Sequence, residues 1–253
     1  DGQWDENSSI PGPAVLDLPQ TEVGLPNSHA GACGPNDMVT LAVAMQDSCN
    51  TAFGWLGMEL GGDAVRDQAA KFGFGDDLEI PMNVTPSTVP DELSPPQEAQ
   101  VGIGQYDVRV TPLQVAMVSA AVANDGVVMT PHLVQSVLGQ DLSKISETKP
   151  EQLSKAMEPE TADQLTDMMK LVVEQGTGTQ AAVPGVSVAG KTGTAEHATD
   201  APPHAWFTGF APADNPKVAV AVVVEDGGRE GNEAYGGSVA GPISSAVMKA
   251  ALQ

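Results

Sequence analysis

The sequence predicts a mixed α/β chain of the α+β kind. Apolar residues recur at helical spacing through the first two thirds, three neighbouring strand-like runs fill residues 186–225, and a final helix-like segment closes the chain. No repeat, low-complexity tract or sharp linker divides it, so residues 1–253 read as one domain.

In order, residues 1–36 are rich in Pro and Gly and predict loops with short extended pieces, among them Ala14 to Leu18. Asn36 or Asp37 reads as the cap of a helical stretch from Met38 to Leu60. Ser48-Cys49-Asn50 interrupts that stretch, which predicts two short helices with a turn between them. Asp63 to Phe72 forms another helix, stopped by Gly73. Residues 75–104, with Pro81, Pro86, Pro90, Pro95 and Pro96, read as loop. Thr111-Pro112 opens a helix through Ala123 that is apolar nearly all round and therefore buried on several sides. Val127 to Leu138 looks extended, and residues 139–158 look exposed. Glu160 to Glu174 carries Leu165, Met168, Met169, Val172 and Val173 on one helical face, and Gly176-Thr177-Gly178-Thr179 ends it. Val186 to Ala195, Ala205 to Ala211 and Lys217 to Glu225 are strands, the last continuously apolar as in a central strand covered on both faces. Gly237 to Leu252 is the closing helix.

Composition narrows function. With 33 acidic and 11 basic residues the net charge is −22, which argues against nucleic-acid binding and against docking on anionic lipid. Apolar residues make up 41%, enough to build a core, and no apolar run reaches the roughly 18 residues of a membrane span. The chain opens Asp1-Gly2-Gln3-Trp4, which reads as the start of a fragment. Cys33 and Cys49 cannot make a zinc site alone, and His29, His132, His197 and His204 lack close ligand spacing, so no metal or cofactor is expected. The two cysteines are either separate thiols or a disulfide closing a loop of about 15 residues, worth ~3 kcal/mol in the chain-entropy model.

Two motifs carry chemistry. Lys191-Thr192-Gly193-Thr194 lies on a predicted strand, where a lysine is costly unless its ammonium faces a cleft. Gly193 lets a ligand lie against the backbone, Thr192 and Thr194 offer hydroxyls, and the Thr194 N–H can address a carbonyl oxygen. That set suits a substrate with a carboxylate and a reacting carbonyl. Ser48-Cys49-Asn50, at the turn between helices, places a hydroxyl that can relay a proton near an amide that can hold a substrate. Each alone has an ordinary explanation, chance for the first and turn chemistry for the second. His197, His204 and Glu196 read as rim or loop residues, Gln105 and Arg109 as loop ties, and Tyr235-Gly236-Gly237 as a candidate rim segment.

In this order, S-x-N and then K-T-G resemble the active-site set of penicillin-binding proteins and serine β-lactamases. The neighbourhood sharpens the likeness: Ser48 to Phe53 resembles their S-x-N-x-x-F junction, and Gly102 to Gln105, Val110 to Gln114 and Ala123 to Gly126 resemble their G-Q, TPLQ and ANGG run. Gly176 to Thr179 and Ala205 to Pro212 fit as well. The resemblance spans nearly all of residues 33–253 and is nearest to class B enzymes of the actinobacterial penicillin-binding protein A group, in which a Cys stands in the S-x-N motif.

The resemblance implies a serine β-lactamase/D,D-peptidase-like fold, an antiparallel sheet flanked by helices with a helical subdomain. It implies a D,D-transpeptidase that cross-links peptidoglycan stem peptides through a serine acyl-enzyme and is inhibited by β-lactams. Ser48 would relay protons, Asn50 would hold the substrate amide and Lys191 would set the field. Thr192, Gly193 and Thr194 would bind substrate, with the Thr194 N–H as an oxyanion donor. The location would be the extracytoplasmic face of the membrane, with roles in cell shape and division and a membrane glycosyltransferase as partner. There a Cys33–Cys49 disulfide is permitted and would pin the Ser48 loop. The family's first motif, S-x-x-K, which carries the nucleophile, is read as absent, and is expected in a missing N-terminal segment together with a membrane anchor. A β-lactam sensor, a β-lactamase-like protein or a non-catalytic partner-binding domain are the alternatives.

Overall fold

The computed structural model describes residues 3–253 apart from 79 and 199. Near the N-terminus, strand β1 (Ser9–Pro11) is followed by β2 (Val15–Leu16), β3 (Leu25–Pro26) and β4 (Met38–Thr40). β1 pairs antiparallel with β4 and β2 with β3. Here the expected helix start is corrected. Met38 to Thr40 is a strand because Val39 pairs with Ile10 and both point into the core. The helix α1 (Leu41–Asp47) begins after Thr40, whose side chain accepts the Val43 N–H at 3.3 Å. The expected break at Ser48 is present, and α2 (Asn50–Leu60) follows it directly.

The helix α3 (Gly62–Lys71) matches expectation, but the segment read as loop contains α4 (Pro95–Gly102). Its two prolines sit in the first turn, where a missing N–H costs nothing and φ is already helical. The Ser94 N–H donates to Gln97 Oε1 at 2.8 Å and closes that turn. Then come α5 (Pro112–Val122), β5 (Val127–Met129), β6 (Ser136–Leu138), β7 (Lys144–Glu147), β8 (Gln152–Lys155) and α6 (Pro159–Glu174). Residues 139–158 are mostly exposed, yet they carry β7 and β8, which pair with β6 and β5.

The main sheet is antiparallel, in the order β11–β10–β9, from β9 (Ala189–Ala195), β10 (His204–Ala211) and β11 (Val218–Val224). The helix α7 (Gly236–Ala251) closes the chain. β10 is therefore the central strand and β11 is not. The continuous apolar run of β11 reflects helices on both faces of the sheet. Phe207 is buried with Ala240 and Met248 of α7, while Phe210 on the opposite face is buried with Val122 of α5 and Met169 of α6. Thr208 Oγ1 lies 2.6 Å from Ser119 Oγ and fastens α5 to the sheet.

The helices α2 and α4 touch backbone to backbone. A Cβ at Gly57 would lie 2.4 Å from the Glu98 carbonyl oxygen and 3.0 Å from Gly102 Cα. The substitution Gly57→Ala must push the two helices apart, and overpacking of this kind costs about 1–3 kcal/mol. We expect a lower midpoint of thermal unfolding for G57A; an unchanged or higher midpoint would refute the close approach.

Candidate active site

The site is assembled at the edge of β9. Lys191 and Gly193 point to the α5 side of the sheet, and Thr192 and Thr194 to the α7 side, by strand alternation. Lys191 Nζ donates to Ser48 Oγ at 2.8 Å and to the Thr192 carbonyl at 2.8 Å. Among the described residues no carboxylate pairs with this ammonium. Burial pushes Lys191 down to about 8 from the ordinary lysine value.

Ser48 is held in the left-handed region at φ 58°, ψ 53°, a conformation that costs a non-glycine residue energy and is typical of functional positions. It ends α1, and Cys49 begins α2. Cys49 is fully buried and bonded to Cys33, with Cα atoms 6.1 Å apart. Asn50 donates from Nδ2 to the Pro26 carbonyl at 3.3 Å, so its amide is tied to the β3 loop and makes no hydrogen bond to Ser48 or Lys191 among the described residues.

The Thr194 carbonyl accepts from Gln105 Nε2 at 3.3 Å, across the opening. In an antiparallel strand the N–H and C=O of one residue face the same side, so the Thr194 N–H also points away from β10. The Thr194 hydroxyl accepts the Gly236 N–H at the start of α7 at 3.4 Å, which brings the positive end of that helix to the site. The expected rim segment Tyr235-Gly236-Gly237 is thus in place. Gly236 must lack a side chain, because a Cβ there would lie 2.6 Å from the Gly193 carbonyl oxygen. Thr192 is buried, and its hydroxyl is 2.7 Å from that of Thr177.

Three supports were not identified as such in the sequence. Thr177 ties β9 to α1, since its N–H donates to the Gln46 carbonyl at 3.2 Å. Asn27 Oδ1 accepts the Thr51 N–H at 3.0 Å and its Nδ2 donates to Pro13 and Gly31, which fixes the start of α2. Gln105 bridges to β9 rather than holding a local loop. Only the Gly-Thr-Gly-Thr and Gly-x-Gly-Gln strings pointed to two of them, and nothing marked Asn27. His197 follows β9 and His204 is the first residue of β10, their rings stacked on each other. The hollow lined by Arg66, Phe74, Val89 and Asp91 holds none of these residues.

The reading that S-x-x-K is absent needs correction: Ser146-Glu147-Thr148-Lys149 has that pattern. It cannot act as the motif. Ser146 lies in the exposed β6–β7 hairpin, paired with Val137, and Lys149 lies beyond the end of β7, so the two are not held on one helical turn. On a helix they would be neighbours. No S-x-x-K precedes Ser48.

The family model for the penicillin binding protein transpeptidase domain matches residues 2–249. The chain belongs to that family. It is 47% identical over 240 residues to the peptidoglycan D,D-transpeptidase PbpA of Mycolicibacterium smegmatis, covering 93% of this chain and 48% of the relative. The PbpA of Mycobacterium tuberculosis is 43% identical over 256 residues, at 98% and 51% coverage. The solved ceftriaxone acyl-enzyme complex of M. tuberculosis penicillin-binding protein A superposes with a TM-score of 0.95 at 42% identity, covering 99% of this chain and 57% of that one. A D,D-transpeptidase domain from Eggerthella lenta gives 0.87 at 33% identity, with 98% and 60% covered. The chain thus spans about half the length of the curated relatives it matches, and its fold is that of the penicillin-binding transpeptidase domains.

Two predictions concern this transpeptidase-family site. Lys191 is protonated at about 8 and below in the folded chain, whereas an unfolded lysine keeps its proton to about 10.4. Between those values the unfolded state binds more protons, so this group makes stability rise with pH from about 8 to 10.4. Denaturant unfolding at both ends of that window should show a smaller rise in Lys191→Met than in wild type; equal pH dependence would rule out the lowered value. Separately, Cys33→Ala/Cys49→Ala should lose roughly 3 kcal/mol of stability. Intact mass without reductant should show no alkylatable thiol in wild type, and two free thiols would reject the bond.

Proposed function

We propose that this chain is the larger part of the transpeptidase domain of a peptidoglycan D,D-transpeptidase, completed by a segment before Asp1 that supplies an S-x-x-K nucleophile. The observation that carries the reading is the Lys191 Nζ–Ser48 Oγ contact of 2.8 Å beside the free edge of β9. The lack of S-x-x-K before Ser48, in a chain about half as long as its relatives, supports the upstream nucleophile.

The substrate is a stem peptide ending in D-Ala-D-Ala, lying extended along β9. Its N–H addresses the Thr194 carbonyl once Gln105 swings aside, and its reacting carbonyl oxygen takes the Thr194 N–H. Developing charge on that oxygen meets a fixed donor, the arrangement that lowers acyl-transfer barriers most. The terminal carboxylate is held by the Thr194 hydroxyl and the positive start of α7, with Thr192 and Thr177 behind. The nucleophile attacks, forming an ester while the last D-Ala leaves with a proton. Ser48 relays that proton, and Lys191, poised near 8, can hold or release it without a large pH change. Asn50 turns from Pro26 to grip the substrate amide. A neighbouring stem's amine then attacks the ester and regenerates the serine. A β-lactam stops at the first step.

The same reading places the protein at the extracytoplasmic face of the membrane, anchored through the missing N-terminal segment. It would serve cell shape or division beside a membrane glycosyltransferase. The test is covalent labelling by fluorescent penicillin. The longer protein should label, and Ser48→Ala and Lys191→Ala should each slow acylation by about 10²–10³-fold. The 253-residue chain alone should not label; if it does, the upstream nucleophile is wrong.

A further inference from the structure

Three side chains far apart in sequence meet at the end of the main sheet. His197 follows β9, His204 is the first residue of β10, and Asp226 stands in the turn after β11. His197 Nε2 is 2.9 Å and His204 Nδ1 3.9 Å from the same oxygen, Asp226 Oδ1. The two imidazoles stack with centroids 3.9 Å apart and planes at 10°. An imidazole nitrogen binds an ion in the plane of its own ring, so one ring must turn out of the stack for both to reach the same ion. We propose that the juxtaposed His197, His204 and Asp226 form a site for a zinc-class divalent ion at the end of the main sheet.

The donor set fits such an ion by type, and its donor atoms are close enough to converge on one when a ring turns. Two imidazoles and a carboxylate suit zinc or cobalt, whereas magnesium and calcium take oxygen ligands. Tetrahedral bonds of 2.0–2.2 Å put donor atoms about 3.3–3.5 Å apart. The two separations on Asp226 bracket that spacing, and the donor atoms of all three residues lie within 4.8 Å of one another. The tautomer of His204 is already suitable. Its Nδ1 accepts the Asp226 backbone N–H at 3.0 Å and so carries a lone pair, which the ion would take over. His197 now shares its Nε2 proton between Asp226 and the Pro202 carbonyl, 3.1 Å away. It would bind the ion with that proton moved to Nδ1. The side chains are 33%, 27% and 66% exposed, leaving a coordination position open to water.

The surrounding structure makes the cluster consequential. His204 pairs across the ladder with Ala195, the residue after Thr194. An ion here would clamp the ends of all three strands of the sheet beside the Thr194 carbonyl and N–H. Neither the position nor the chemistry depends on the transpeptidase reading.

The test is titration of the chelator-stripped protein with zinc chloride by calorimetry, and with cobalt(II) by visible absorption. We expect one ion per chain, retained in excess magnesium, with a cobalt ligand-field spectrum of mixed nitrogen and oxygen ligation. His204→Gln and Asp226→Asn should each weaken zinc by about tenfold or more, while the control His29→Gln/His132→Gln keeps full affinity. The cobalt spectrum of the wild-type protein stands independently of whether any variant folds. No stoichiometric ion, displacement by magnesium, or equal affinity in H204Q and D226N would overturn the site and leave a hydrogen-bonded histidine pair on an acidic surface.

Discussion

The contact between Lys191 and Ser48 joins residues 143 positions apart, and most of the architecture serves to hold its two ends. One end is a strand of the main sheet; the other is the last turn of a helix. Their meeting could not be placed by local sequence. The lysine is brought by β9, whose position is set by Phe207 on one face and Phe210 on the other. Gly190 is required for the first of these, since a Cβ there would lie 2.3 Å from the Phe207 ring. The serine is brought by α1, and its left-handed backbone turns the hydroxyl out of the helix.

The two ends are locked to each other by a short loop. Gly176 lies so close to the end of α1 that a Cβ would come 2.2 Å from the Gln46 carbonyl oxygen. Thr177 then bonds Gln46 through its N–H and Thr192 through its hydroxyl. One residue thus spans from the Ser48 helix to the Lys191 strand. The Cys33–Cys49 bond and Asn27 complete the frame from the other side, fixing the start of α2. A strained serine persists only where its surroundings over-determine it, and here three independent ties do so.

Much of this was readable in the sequence wherever the signal was local. The strands β9 and β10, the helices α5, α6 and α7 and the break at Ser48 follow from periodicity, caps and glycines. The failures have physical causes. Pro95-Pro96 reads as loop because proline breaks helices, yet at a first turn it starts one. Val39-Thr40 looks helical by its apolar neighbours, but its β-branched side chains pair with β1. β11 reads as central because helices cover both faces, which says nothing about its edge. Asn27 and the His197–Asp226 contact were illegible because their partners lie more than twenty residues away. Motif order located Ser48 and Lys191 together, which no propensity could have done.

The charge of the chain bears on why a single lysine can dominate the site. A net −22 opposes an anionic ligand at long range. That opposition is spread over the surface and is screened beyond about 8–10 Å at ordinary ionic strength. Lys191 is different: it is buried, donates to Ser48 and Thr192, and has no carboxylate partner among the described residues. Arg66, Arg109, Lys144, Lys155 and Lys170, by contrast, are each paired with a carboxylate. An unpaired cation in a poorly screened place, next to the positive start of α7 at Thr194, leaves a local positive field at the edge of β9. The acidic surface cannot cancel that field at contact distance. The burial that draws the lysine's proton affinity down to about 8 also leaves its charge poorly screened, so the lowered affinity and the strong local field have one cause.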